Sequence, residues 1–266
     1  MDSEKITFEI LRLDEIPSTS TYLKQLIADG HPMLREGLTV AAVAQTAGRG
    51  QRGNSWEAEP GRNVSLSVLL SPVNVPPLEQ FVISEAVALA VADTVEAYLP
   101  AAADVRVKWP NDIYIDDKKI SGTLIENTLC GPQILWSVCG IGLNVNQREF
   151  VSGAPNPVSL LQLRGSECPL VEVELTLLRR IGHYVDNYLA RYPQGRDELH
   201  TLYMQRLWRG TGVHLWLDKA TNQTFEASIA EVALTGHLTL RQTYGTTRSY
   251  AFKEVAPVMA GFHLPN

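Results

Sequence analysis

The chain has 266 residues, 45% of them hydrophobic and 20% charged, with a formal net charge of −6. That length and apolar fraction support a sizeable core, as one large domain or one large and one small. The acidic balance excludes a general binder of nucleic acid or membrane surfaces, which needs clustered Lys and Arg, so any basic site is local.

The N-terminal MDSEKITFEI is too polar for a signal peptide. A short strand or turn precedes PSTST (17–21), where Ser18, Thr19 or Ser20 can cap a helix that runs to about Asp29 and stops at Gly30. LTVAAVAQT (38–46), rich in Val and Thr, reads as a buried strand. A polar loop over 47–63 follows, then VSLSVLL (64–70), whose alternation predicts a strand with one buried face. Residues 77–99 read as a long helix between Pro77 and Pro100. Its apolar stretch AVALAVA (86–92) is far too short to span a bilayer, and the expected location is the cytoplasm.

DVRVKW (104–109) reads as a strand stopped by Pro110. Residues 113–126 form a β-hairpin turning at Asp116, Asp117 and Lys118, and 134–145 a further strand. Helical patterns occupy about 170–192 and 196–208, and short strands with turns fill 211–257. The order predicts a mixed α+β unit over 1–209 and a small all-β unit over 210–266, with the seam near Arg209–Gly212. Cys130, Cys139 and Cys168 lack C-x-x-C spacing and read as reduced thiols, and the histidines form no metal motif.

Residues 48–53, GRGQRG, match G-x-G-x-x-G. A dinucleotide fingerprint needs those glycines to open a helix, with an acid about 20 residues on. Pro60 and Gly61 break any helix after the loop, and 70–74 hold no acid, so that reading fails. The loop chemistry still favours phosphate. Gly48, Gly50 and Gly53 permit positive φ, so successive N–H groups can face one anion. Arg49 and Arg52 add bidentate donors, and no acid interrupts 45–56. Taken alone, the loop reads rather as a flexible surface loop with two solvated arginines.

It does not stand alone. KWPND (108–112), KISG (119–122) and GIGLNVN (140–146) follow it. In that order, GRG-x-x-G-x-x-W, KWPND-x-Y-x-x-x-x-K-x-x-G and GIG-x-N-x-N resemble the biotin–protein ligase family, from about Phe8 to Pro257. The resemblance implies a mixed sheet with flanking helices, as in class II aminoacyl-tRNA synthetases, followed by an SH3-like barrel. It implies a ligase that makes biotinyl-5′-AMP from biotin and ATP, with Mg²⁺ arriving on the ATP, and transfers biotin to one lysine of a biotin carboxyl carrier domain. No nucleic acid or membrane partner is implied. With only 17 residues before Ser18, the class expected is the one without an N-terminal DNA-binding domain, and a homodimer through sheet edges is compatible.

Carried onto this chain, Ser18, Thr19, Ser20 and Gln45 line the biotin ureido end. Gly48 and Arg49 border the carboxyl and the adenylate phosphate, with Gln51 and Arg52 on the mobile loop over the triphosphate. Trp56 flanks the nucleotide, and Asn111 and Asn144 belong to the adenylate side. Lys119 touches carboxylate and α-phosphate, and Gly122, Gly140 and Gly142 let the ligand approach the sheet. The catalytic set is Arg49, Arg52, Lys119 and Asp112, the last a candidate to bind or deprotonate the acceptor amine, with no fixed metal site in the protein. Each has a plainer alternative: Ser18 and Thr19 as helix caps, Asn111 as part of a strand-ending turn, Lys119 as a solvated hairpin lysine, Trp56 as core.

Three positions depart from the family pattern. Gln51 stands where some members carry Arg, Ser20 where some carry Asn, and Lys253 where the barrel end often reads Gly-Glu-Val. Lipoate ligases and octanoyltransferases share the scaffold but carry Arg-Arg-x-x-Gly-Gly-Gly, and this chain has no Gly-Gly pair.

Overall fold

The computed structural model describes residues 5–151 and 156–259. Strand β1 (Glu9–Ile16) leads through helix α1 (Thr19–Ala28) to β2 (Leu38–Gln45), which lies parallel to β1. Next come β3 (Val64–Leu70), α2 (Phe81–Ala97), β4 (Val105–Lys108), β5 (Asp112–Ile115), β6 (Lys118–Cys130) and β7 (Gln133–Leu143). These strands form a seven-stranded sheet in the order β1-β2-β3-β7-β6-β5-β4, with every pair after β1–β2 antiparallel.

Both faces of the sheet are covered, but differently. The larger core joins alternate residues of the central strands to α2, α4 (Leu170–Tyr184) and α5 (Arg196–Gln205). Helix α2 is apolar nearly all round, which fits a helix held between a sheet and further helices. On the opposite face α1 seats Leu23 and Leu26 on Leu38, Val40, Leu69 and Val138. Beyond α1 this face is floored by glycine and carries the cavity described below.

Strand β3 is buried on both faces, not one. Val64, Leu66, Val68 and Leu70 join the helical core. Ser67 turns to the α1 side, where hydrogen bonds make a buried serine tolerable. Alternation of Val/Leu with Ser looks like half exposure when the serines have buried partners. The 77–99 helix starts with a 3₁₀ turn (Pro77–Glu79) before α2 proper, and α4 runs into a π-helical segment at Val185–Leu189. A short helix, α3 (Leu160–Arg164), was not anticipated. Its signal was the capping box Ser159-x-x-Gln162, whose two side chains exchange bonds with each other's backbone.

The remaining strands, β8 (His214–Asp218), β9 (Gln223–Val232), β10 (Leu238–Gln242), β11 (Thr247–Tyr250) and β12 (Val255–Pro257), form an antiparallel sheet in the order β11-β10-β9-β8-β12, consistent with an SH3-like module. It is seated on the first sheet by Trp109, whose Nε1 donates to Gly236 O at 3.0 Å and whose ring meets Phe252 edge-on at 5.7 Å. The segment after α5 closes the outer edge of β4, since Val107 N donates to Arg206 O and Trp208 N to Val107 O, both at 2.8 Å.

Candidate active site

A cavity of about 990 Å³ lies where the α1 face of the large sheet, the GRGQRG loop and the second sheet meet. At one end all the chemistry is neutral. Ser18 sits at the N-cap of α1 in extended conformation, its Oγ only 3.5 Å from Thr21 N, so it caps the helix weakly. Thr19 donates its N–H to Gln45 Oε1 at 2.8 Å and its hydroxyl to the same oxygen at 3.2 Å. Ser67 Oγ donates to Thr19 Oγ1 at 2.8 Å and lies 2.9 Å from Ser20 Oγ. Ser18, Thr19 and Ser20 are 3–4% exposed. Buried hydroxyls linked in this way are held in place, because breaking one link leaves a desolvated oxygen behind.

The floor is glycine because side chains from elsewhere lie against it. Gly122 pairs with Gly142 across β6–β7, and Gly140 pairs with Leu124. A Cβ on Gly140 would come within 2.3 Å of Ser20 Oγ, and one on Gly142 within 2.3 Å of the Trp56 indole. A Cβ on Gly122 would crowd Trp56 and Lys119 at 3.0–3.1 Å.

The other end is cationic. The loop closes on itself, with Trp56 N donating to Gly48 O at 3.0 Å, Gly50 N to Asn54 O at 2.6 Å, and a 3₁₀ turn over Gln51–Gly53. Of its glycines only Gly53 has positive φ (83°). Gly50 uses its N–H inside the loop, so the expected row of three free N–H groups is not present. Gly48 is needed instead because a Cβ there would meet Trp56 O at 2.6 Å.

Arg49 reaches Glu126 at 3.5 Å, and Lys24 pairs with the other oxygen of that carboxylate at 2.7 Å. Lys119 pairs with Asp112 at 2.7 Å, its ammonium 5.6 Å from the centre of the Trp56 ring. Lys108, opposite Asp112 in the β4–β5 register, lines the cavity too. Burial lowers its pKa, and the nearby Asp112 carboxylate pulls it partly back up. Three buried polar atoms on residues of the wall, Trp56 Nε1, Thr123 Oγ1 and Asn144 Oδ1, have no hydrogen-bond partner among the described residues and suit a polar ligand.

Of the residues singled out from sequence, Ser18, Thr19, Ser20, Gln45, Arg49, Gln51, Trp56, Asp112, Lys119, Gly122, Gly140, Gly142 and Asn144 all line this cavity. Gly48 stands behind Trp56. Asn111 is buried beneath the loop, donating to Ser84 Oγ at 2.8 Å and accepting from Gln51 Nε2 at 3.0 Å, so it supports Gln51 and does not face the cavity. The Arg52 side chain lies outside the described residues. Sequence reasoning missed Ser67, Lys108 and Glu126. Lys108 stood inside a quoted motif, and Ser67 was visible as one of two serines alternating with Val and Leu. Glu126 carried no local signal.

Residues 13–144 match the model of the biotin/lipoate A/B protein ligase family. The "Bifunctional ligase/repressor BirA" of Bacillus spizizenii is 32% identical over 149 residues, 56% of this chain and 44% of that protein. The "Biotin--[acetyl-CoA-carboxylase] ligase" of Mycobacterium tuberculosis is 34% identical over 161 residues, 60% of this chain and 58% of that one. The matched stretch thus spans roughly half the length of these relatives. Among solved structures, the biotin protein ligase from Aquifex aeolicus in complex with biotin and ATP superposes with a TM-score of 0.73 over 94% of this chain and 98% of that one, at 23% identity, a likeness of fold. No helix among the described residues is long and apolar enough to cross a membrane. The family model covers most of the sheet, the glycine loop and both halves of the cavity floor, so it is residues 13–144 of the chain that carry a domain of the biotin/lipoate A/B protein ligase family.

Proposed function

We propose that this chain is a biotin–protein ligase, with residues 1–209 as the catalytic unit and 210–266 as a C-terminal unit that contributes to the cavity. One observation carries the reading: a single cavity joins a buried neutral hydroxyl–amide end to a cationic end. An apolar bicycle with a urea group suits the first, where a few neutral donors and acceptors fix orientation. A carboxylate meeting a triphosphate needs the second. The names of the relatives, the serines and threonine at 18–20 and the missing Gly-Gly pair favour biotin over lipoate.

In the first step a biotin carboxylate oxygen attacks the α-phosphorus of ATP. The new C(O)O–P bond forms as the bond to the β-phosphate oxygen breaks, and pyrophosphate leaves. Two anions approach each other, so Arg49, Arg52 and Lys119 act by holding them and offsetting their charge. Mg²⁺ enters as the companion of the ATP phosphates and screens their charge. In the second step the neutral amine of an acceptor lysine attacks the acyl carbon, AMP leaves, and the amine gives up a proton. Asp112 accepts it once Lys119 turns to the ligand, a role supported by its position on the cavity wall beside Lys119. The acceptor is a lysine of a biotin carboxyl carrier domain. Incubation of the protein with biotin, ATP and such a domain should add one biotin mass to one lysine, and an unmodified domain beside consumed ATP would refute the transfer step.

A further inference from the structure

The two positions 51 and 253, each a departure from the family pattern, meet in the folded chain. Lys253 Nζ donates to Gln51 O at 3.1 Å, across 202 residues of sequence. The Gln51 side chain points the other way, donating to Asn111 Oδ1 and to Thr123 O at 3.0 and 3.1 Å, so this position brings no charge to the cavity.

Lys253 does bring one. It lines the cavity, and among the described residues no carboxylate lies within ion-pair distance of it. Arg49 and Lys119, by contrast, are each paired to an acid. Its turn is firmly seated. Phe252 packs on Trp109, and Glu254 accepts from Ala251 N and, through its carbonyl, from Lys219 N. Lys219 lines the same cavity from the neighbouring turn. The backbone at Lys253 has φ 73°, a left-handed conformation that glycine adopts freely and lysine only at some cost. A lysine kept in strained backbone on the wall of a cavity with a cationic end, with no carboxylate partner among the described residues, is suited to an anionic ligand.

We propose that Lys253 binds the β- and γ-phosphates of ATP, supplying from the second sheet the positive charge that the glycine loop lacks at Gln51. This rests on the adenylating function proposed above. The test is equilibrium binding, with biotin present, of the α,β-methylene analogue of ATP, which cannot release pyrophosphate, and of AMP. Lys253→Gly suits the local backbone and should stay folded. It should weaken the analogue about tenfold, as loss of one charge-assisted contact does, and leave AMP within about twofold. Lys253→Arg should bind the analogue almost as the natural protein does. The double variant Gln51→Arg/Lys253→Gly should recover most of the loss, with the charge returned on the loop. Equal weakening of AMP and the analogue would mean that Lys253 only braces the loop, and no weakening of either would mean that it is idle. Both would overturn the proposal, and a double variant no better than Lys253→Gly would overturn the exchange of charge between the two positions. Biotin-dependent pyrophosphate exchange is read separately. Its absence beside Lys253-dependent triphosphate binding would refute the ligase reading and leave this one standing.

Discussion

At the α1 end of the cavity the hydroxyls of Thr19, Ser20 and Ser67 are neutral, buried and hydrogen-bonded within the protein. At the loop end the polar groups are charged, and Arg49 is 44% exposed and Lys119 25%, each held by an acid. The neutral end is complete before any ligand arrives, so binding there costs little rearrangement. At the charged end Glu126 and Asp112 stand where an anionic ligand would compete for Arg49 and Lys119. Half-exposed ion pairs of this kind contribute little to stability, so exchanging them for phosphate costs the fold little. One end is built to select, the other to change partners.

That contrast breaks first at Lys119. Lys119→Ala should lower the rate of adenylate formation at least 10²-fold, about 3 kcal/mol of barrier, with the thermal midpoint nearly unmoved. Arg49→Ala should follow in the same direction. A near-normal rate in either would remove that residue from the chemistry. Next come the floor glycines. Gly142→Ala drives a methyl into Trp56 and Gly140→Ala drives one into Ser20, an overpacking cost of about 1–3 kcal/mol each. The first should raise KM for ATP and redden the Trp emission, and the second should raise KM for biotin. Identical kinetic effects of the two would mean that the ends are not separate. Ser67→Ala removes the link between Thr19 and Ser20. About 1 kcal/mol of stability and a few-fold rise in KM for biotin should result, with KM for ATP unchanged.

The smallest effect is a titration at Lys108. Burial holds its pKa below the ordinary lysine value. The folded state therefore releases the proton at lower pH than the unfolded chain, and the contribution of this group to stability rises with pH through that window. Amine acetylation followed by mass spectrometry should label Lys108 at lower pH than exposed Lys118, and bound biotin with ATP, by adding negative charge, should shift its onset upward. Equal labelling onset at the two lysines would contradict the burial argument.

Much of the charged end was legible because its signals are local: glycines and arginines within six residues, a lysine three residues before a glycine, a proline ending a strand. The helix cap at Ser18 was legible for the same reason. What was not legible depends on distance. Nothing near Gly142 says that Trp56 will lie against it, and nothing near Gln51 points to Lys253. Ser67 misled through the rule that usually works, since alternating serines signal solvent unless a second layer supplies partners. The loop glycines were read as a row of positive-φ donors, yet only Gly53 has positive φ, and Gly48 is glycine for lack of space.

The most direct test of the whole account is ATP–pyrophosphate exchange by the purified protein offered biotin, lipoate and octanoate in turn. Exchange with biotin alone is the expected result. It would tie the neutral hydroxyl end to the ureido ring and the cationic end to adenylation. Exchange with lipoate or octanoate instead of biotin, or with no acid despite tight biotin binding, would contradict it.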